Sequence, residues 1–83
     1  MKFCYITFRS VTPAQKGEKI LRRAGVDCTI QRTPRWMEEQ GCGYSLRLRH
    51  GDAIRGCTIL REKGVAFRKV YLLEDGRFEE LAL

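Results

Sequence analysis

Hydrophobic and polar residues alternate along four stretches of the chain, and this alternation predicts four β-strands. The predicted strands are residues 2–8, 26–32, 44–49 and 66–73. Both sets of alternating positions are fairly apolar in the first strand, so we expect it to lie centrally in a sheet. In the third strand, leucines alternate with Arg47 and Arg49. One face of that strand is therefore expected to meet water or an anion.

Two segments between these strands have apolar residues at helical spacing. The first helix is predicted to begin with Thr12 as its N-cap and Pro13 at the first helical position. The second is predicted over residues 53–63, capped by Asp52. A glycine inside a helix costs about 1 kcal/mol relative to alanine, so Gly17 indicates that the first helix packs closely on the sheet.

The order of the elements is β-α-β, a long loop, then β-α-β. This order predicts an α+β fold of the ferredoxin-like, split βαβ type, with a four-stranded antiparallel sheet and two helices on one face. We expect one domain over residues 1–83. Residues 77–83 fit either a short extra strand or a tail. The open face of the sheet is expected to carry Phe3 and Tyr5 beside the two arginines of the third strand.

Charge and hydropathy limit the kinds of protein this can be. The 83 residues carry a net charge of +6, which suits an anionic partner such as nucleic acid, but no run of Lys and Arg exceeds two residues. The unbroken apolar runs are too short for a membrane span. The first ten residues resemble a strand more than a signal peptide, so we expect a cytoplasmic protein.

Three of the four cysteines, Cys4, Cys28 and Cys57, fall at apolar positions of predicted strands or helices. Free cysteine often behaves as a small buried hydrophobic residue. The gaps between the cysteines are wide, without a C-x-x-C pair, and His50 is the sole histidine. We therefore expect three buried thiols, with neither a structural disulfide nor a metal site.

The fourth cysteine lies in a different setting, within the segment Thr33–Tyr44, which reads TPRWMEEQGCGY. Pro34 disfavours helix at the preceding residue and so ends the second strand. Cys42 stands between Gly41 and Gly43, which allow positive φ angles and close approach of another molecule. A thiol in this position is expected to be reachable from outside.

The residues around Cys42 act on its ionisation in opposite directions. Four arginines lie close to Cys42 in sequence or on the strands that flank its loop: Arg32, Arg35, Arg47 and Arg49. Nearby cations lower a thiol pKa, and a Gly-Cys-Gly backbone can form an anion-binding nest. Glu38 and Glu39 would raise the pKa. Trp36 is a candidate anchor for a partner protein, or equally a lid over the sheet edge.

Several of these features occur together in one known family. They are the Tyr- and Phe-rich strand, Ser10 before the first helix, Gly25-Val26 at its end, Pro34-Arg35, and Cys42-Gly43 before the next strand. Together they resemble a small bacterial family of selenium/sulfur carrier-like proteins, over nearly the whole chain. The linker between Pro-Arg and Cys-Gly is bulkier and more acidic here than the Ser-rich linker of that family.

The resemblance implies a carrier that holds sulfur or selenium on Cys42 as a persulfide or perselenide. Arg35 and the Gly43 backbone would stabilise the charged form, while a donor enzyme and an acceptor enzyme would be the partners. The sequence has no evident Cys-His-Asn/Asp grouping and no nucleotide-binding glycine motif, so we expect neither turnover catalysis nor a cofactor.

Two other functions fit the predicted open face. In a nucleic-acid-binding module, Phe3 and Tyr5 would stack on bases while Arg47 and Arg49 meet phosphates. In an interaction or regulatory domain, the same face would form a homodimer, since exposed apolar patches often mark interfaces. The first function predicts binding that weakens steeply with salt.

Overall fold

The computed structural model describes residues 2–34 and 43–82. Their strands are β1 (Lys2–Phe8), β2 (Cys28–Arg32), β3 (Tyr44–Arg49), β4 (Val70–Glu74) and β5 (Arg77–Leu81). Their α-helices are α1 (Val11–Arg23) and α2 (Ala53–Glu62), and a 3-10 turn, His50–Asp52, leads into α2.

The strands form one antiparallel sheet in the order β2-β3-β1-β4-β5. As predicted, β1 is central, with β3 on one side and β4 on the other. Each helix connects two parallel strands that have a third strand between them: α1 joins β1 to β2 across β3, and α2 joins β3 to β4 across β1. The fold is therefore α+β, with both helices formed where the apolar spacing predicted them.

The sheet has five strands where the fold prediction had four, because residues 77–83, left open as an extra strand or a tail, supply β5 (Arg77–Leu81). The turn between β4 and β5 is Asp75-Gly76, and both residues have positive φ angles, 51° and 78°. Two such residues in a two-residue loop match the twist of a β-hairpin, and Asp-Gly is a sequence that favours this loop. Glu74 consequently pairs with Arg77, and the remaining residues of β5 pair along β4.

The limits of β2 and β4 also differ from the predictions, and helix termination explains the later start of β2. Gly25 has a φ angle of 82°, and the N–H of Val26 donates to the carbonyl of Leu21 at 2.9 Å. Gly64 and Val65 end α2 in the same way. The cap of α1 occupies Val26, which the alternation had assigned to a strand, so β2 begins later than predicted. β4 also begins later than predicted, at Val70.

The start of α1 was also predicted two residues too late. Its N-cap is Ser10, without a side-chain capping bond, so Thr12 and Pro13 lie inside the first turn. Proline is tolerated there because the first N–H groups of a helix have no intrahelical partner. Asp52 is the N-cap of α2, as predicted, although its side chain makes no capping bond.

Both helices pack on one face of the sheet and share a single hydrophobic core. That core includes Cys4, Ile6 and Phe8 of β1, Leu46 and Leu48 of β3, Leu21 of α1, and Leu60 of α2. The close approach predicted from Gly17 is confirmed: a Cβ there would lie 3.3 Å from side-chain atoms of Phe8, Leu46 and Leu60. Gly56 of α2 is similarly close, 3.1 Å from Leu48. The opposite face has no helix among the described residues.

Candidate functional site

The predicted site loop lies between β2 and β3, and both of its ends are fixed by backbone pairing. Arg32 and Tyr44 form the last register pair of the two strands. Beyond them, the N–H of Thr33 donates to the carbonyl of the buried Gly43 at 3.0 Å. These four residues define what we call the loop end of the sheet.

The candidate residues Arg35, Trp36 and Cys42 lie outside the described residues, as do Glu38 and Glu39. Their predicted roles, as chalcogen carrier, charge stabiliser and partner contact, therefore stay predictions. Gly43 is described, and it is covalently bonded to Cys42. Its carbonyl accepts the Thr33 bond, and its N–H belongs to the peptide that joins it to Cys42.

Two positively charged groups of the described residues lie at the loop end. Phe8 pairs with Tyr44, and α1 begins three residues later, so the N-terminus of that helix and its partial positive charge lie at this end. The guanidinium of Arg32 lies 6.0 Å from the centre of the Tyr44 ring, a cation–π contact. Arg32 is one of the four arginines predicted to act on the Cys42 thiol, and the structure places it as the last residue of β2.

Two buried hydroxyls also occur near the loop end. The Oγ atoms of Thr33 and Ser45 have no hydrogen-bond partner among residues 2–34 and 43–82. Thr7, which pairs with Ser45, is different, because its hydroxyl donates to the Lys69 carbonyl and accepts from the Lys69 N–H. Two unpaired buried hydroxyls are a cost that a partner group would remove.

The other three cysteines are poor nucleophiles. All are free and buried, as predicted. Burial raises the pKa of the Cys4 thiol from an ordinary 9.0 to about 11, and the nearby Cys57 adds to the rise. Burial also raises the pKa of Cys28, an effect partly offset by Arg22, and that of Cys57, partly offset by Arg61. Because the thiolate is the reactive form, these residues are unsuited to carrying a chalcogen.

The open face of the sheet differs from the expectation of exposed rings. Tyr5 is 7% exposed and Tyr71, its neighbour on β4, is 9% exposed. Phe3 and Leu73 pack against this pair. Tyr5 therefore has little free surface with which to meet a partner.

The arginines of β3 do not gather around the loop end. Arg47 pairs with Tyr5, and its guanidinium lies 4.9 Å from the centre of the Phe3 ring. Arg49 pairs with Phe3 at the far end of the strand. At about 3.4 Å per residue, Arg47 and Arg49 are roughly 10 and 17 Å from Tyr44. The described structure therefore brings Arg32, but not Arg49, close to Gly43.

Two further features bear on the class of protein. Within the described ranges, no three His, Cys, Asp or Glu side chains form a group that could hold a metal ion. No helix in those ranges is long and apolar enough to cross a membrane.

Comparison with known proteins gives one match. The model of the family described as "Putative Se/S carrier protein-like" matches residues 3–72, which include β1 through the first part of β4 and the whole candidate loop. The chain has no significant match among curated proteins or among solved structures.

Proposed function

Because this chain belongs to the Se/S carrier protein-like family, we propose that it carries sulfur or selenium on Cys42 and passes the atom from a donor enzyme to an acceptor enzyme. We further propose that β1 to β4 are a ferredoxin-like split βαβ unit that presents the loop, with β5 as an addition.

The observation that supports Cys42 most is the state of the other three cysteines. Cys4, Cys28 and Cys57 are buried, and burial raises the pKa of each thiol. A carrier needs a thiol that ionises near neutral pH and reaches two enzymes in turn. Of the four cysteines in the sequence, Cys42 is the one that these raised pKa values leave as the candidate carrier.

The positive groups at the loop end favour the thiolate form of Cys42 and oppose the effect of Glu38 and Glu39. The N-terminus of α1 and the Arg32 guanidinium lie at this end, and cations lower the pKa of a nearby thiol. The N–H of Gly43 and the Arg35 side chain are the groups we assign to the sulfur itself. Trp36 is assigned to contact with the partner enzymes.

The transfer step needs no cofactor. The Cys42 thiolate attacks the outer sulfur of a persulfide on the donor, and its own proton has gone to solvent. The donor's S–S bond breaks, a new S–S bond forms on Cys42, and the donor leaves as a thiolate. The same exchange with selenium in place of the outer sulfur gives a perselenide. Delivery to the acceptor is the reverse exchange with a second thiol.

Persulfide loading followed by intact-protein mass spectrometry tests this proposal. The reduced protein, treated with a low-molecular-weight persulfide, is expected to gain one sulfur atom. Cys42→Ala should abolish the gain, whereas Cys57→Ala, a matched change in the core, should leave it intact. Far-UV circular dichroism checks that both variants fold. A sulfur gain that persists in Cys42→Ala would exclude the proposal.

Nucleic-acid binding by the open face is the alternative. Arg47 and Arg49 favour it, because both lie on that face without a carboxylate partner among the described residues. The burial of Tyr5 and Tyr71 weighs against it, because stacking on bases needs free ring faces. Binding of a single-stranded oligonucleotide that weakens steeply with salt and is unaffected by Cys42→Ala would support this alternative.

A further inference from the structure

The end of the sheet opposite the loop contains two adjoining cavities. The larger, about 550 Å³, is lined by Lys2, Phe3, Arg49, His50 and Gly51. The smaller, about 220 Å³, shares Phe3 and Arg49 with it and adds Arg47. We call this region the cation end. The larger cavity falls within the range of small-molecule sites, roughly 300–1,000 Å³.

The charges at this end are unevenly neutralised. Lys2 pairs with Glu74 at 3.0 Å, and Arg22, which also lines the smaller cavity, pairs with Glu18 at 3.5 Å. Arg47 and Arg49 have no ion-pair partner in the part of the chain that the structure describes.

One carboxylate, that of Asp27, lines the smaller cavity and partly opposes an anion there. The two guanidiniums still outnumber it.

Two guanidinium side chains, those of Arg47 and Arg49, line the smaller cavity. Their residues are two apart on one face of β3, a spacing of about 7 Å, which two long side chains can close around a single group. The Phe3 ring lies against the Arg47 guanidinium at 4.9 Å, which restricts its conformations and leaves its N–H edge available. Two neighbouring guanidiniums suit a phosphate dianion better than a carboxylate, whose single charge one of them would satisfy.

The larger cavity offers space for the rest of such a ligand. Phe3 supplies an apolar wall, and a Cβ added to Gly51 would meet no atom within 4 Å. We propose that the cation end binds a small organic phosphate, with the phosphate between Arg47 and Arg49 and a planar or apolar body against Phe3 beside Gly51. This site is separate from the proposed sulfur transfer and does not depend on Cys42.

NMR titration of the ¹⁵N-labelled full chain tests the proposal, with phenyl phosphate as the probe. Inorganic phosphate and phenol serve as its two halves. Saturable shifts are expected at the amides of Phe3, Arg49 and Gly51, with affinity for phenyl phosphate at least about tenfold above that for either half. If inorganic phosphate binds as tightly as phenyl phosphate, the larger cavity contributes nothing and the proposal fails.

Variants locate the site. Arg49→Gln should weaken phenyl phosphate binding by about tenfold, the loss of one charge-assisted pair. Arg9→Gln removes the same charge beyond the other end of β1 and should leave binding within about twofold. Gly51→Val fills the larger cavity and should also weaken binding. If Arg49→Gln and Arg9→Gln weakened phenyl phosphate binding equally, the probe would be attracted nonspecifically by the net positive charge, and the proposed site would be excluded.

A single-stranded oligonucleotide is the last ligand to be titrated. The proposal predicts that it binds no more tightly than phenyl phosphate. An oligonucleotide that binds far more tightly, and loses that affinity in Arg49→Gln, would overturn the small-ligand site and favour a nucleic-acid surface.

Discussion

The loop end and the cation end are formed by the same three strands, β2, β3 and β1, yet they differ in how the sheet is closed. At the loop end, the Thr33–Gly43 backbone bond continues the pairing of β2 and β3, and buried hydroxyls lie beside it. At the cation end, the pairing stops and two cavities open between charged side chains. About 17 Å of β3 separates the two regions. Each proposed activity should therefore be removable without loss of the other.

The largest expected effect is a double dissociation between the two ends. Cys42→Ala should abolish persulfide loading and leave phenyl phosphate affinity unchanged. The pair Arg47→Gln and Arg49→Gln should do the reverse, reducing phosphate affinity by well over tenfold while loading proceeds, because the two sites share no residue. Loading and NMR titration of the same preparations measure both quantities. If the arginine variant also lost loading, the two ends would be parts of one site.

Thiol reactivity should differ sharply between the loop and the core. With iodoacetamide at pH 8, we expect Cys42 to react at least about 100-fold faster than Cys4, Cys28 or Cys57, because alkylation needs an accessible thiolate. Mass spectrometry of the digested protein assigns each rate. The unfolded chain in denaturant is the control, in which all four rates should converge. Comparable rates for Cys42 and Cys28 in the folded protein would remove the basis for the carrier.

The core beneath both ends should weaken at high pH. The pKa of Cys4 is about 11 when folded and 9.0 ordinarily, so the unfolded chain releases its proton first as pH rises. The stabilisation is complete below pH 9 and is lost between pH 9 and 11, by roughly 2–3 kcal/mol. Urea unfolding of wild type and Cys4→Ala over this range isolates the effect, since other groups titrate equally in both. Parallel curves would contradict the raised pKa.

Added side-chain volume should lower the stability of the fold at Gly56 and have little effect at Gly51. Gly56→Val places atoms against Leu48, where a Cβ alone lies 3.1 Å away, and overpacking of this kind typically costs about 1–3 kcal/mol. Gly51→Ala at the cation end meets open space, so its effect should stay within about 0.5 kcal/mol. Denaturant unfolding compares the two. A neutral Gly56→Val would mean that the helix can move away from the sheet.

The smallest effect is expected from the ion pair at the edge of the larger cavity. Lys2 and Glu74 are both partly exposed, so Glu74→Gln should cost no more than about 1 kcal/mol of stability. The change frees the Lys2 ammonium for a bound anion and should raise phenyl phosphate affinity by about twofold. Glu79→Gln, a charge-matched change on β5, is the control. Weaker binding in Glu74→Gln would place Lys2 outside the site.

Much of the fold was predictable because alternation and helical spacing report which side chains are buried. They located β1 and β3 with their observed limits, both helices, and three buried cysteines. Strand ends were less predictable, since Val26 looks like a strand residue but takes part in the cap of α1. The sequence signal for β5 is Asp75-Gly76, which favours a hairpin turn but does not by itself decide whether residues 77–83 pair as a strand.

The candidate site residues were also predictable only in part. The sequence singled out Cys42 by its flanking glycines, and it indicated that Arg47 and Arg49 share a face of β3 away from the core. It did not show that Tyr5 would be buried, because that depends on Tyr71 and Leu73, which lie more than sixty residues away in the chain.

What the sequence by itself determined is local in origin: the alternation of each strand, the apolar spacing of the helices, and the chemistry of a thiol between two glycines. What the tertiary structure alone decided is the distribution of charge along the sheet. Antiparallel pairing sets Phe8 and the start of α1 beside the loop end, and it sets Phe3 beside Arg49 at the other. The register between strands that are distant in sequence determines this distribution. The pattern of a single strand fixes which of its residues lie on each face, but not which residues of other strands lie opposite them.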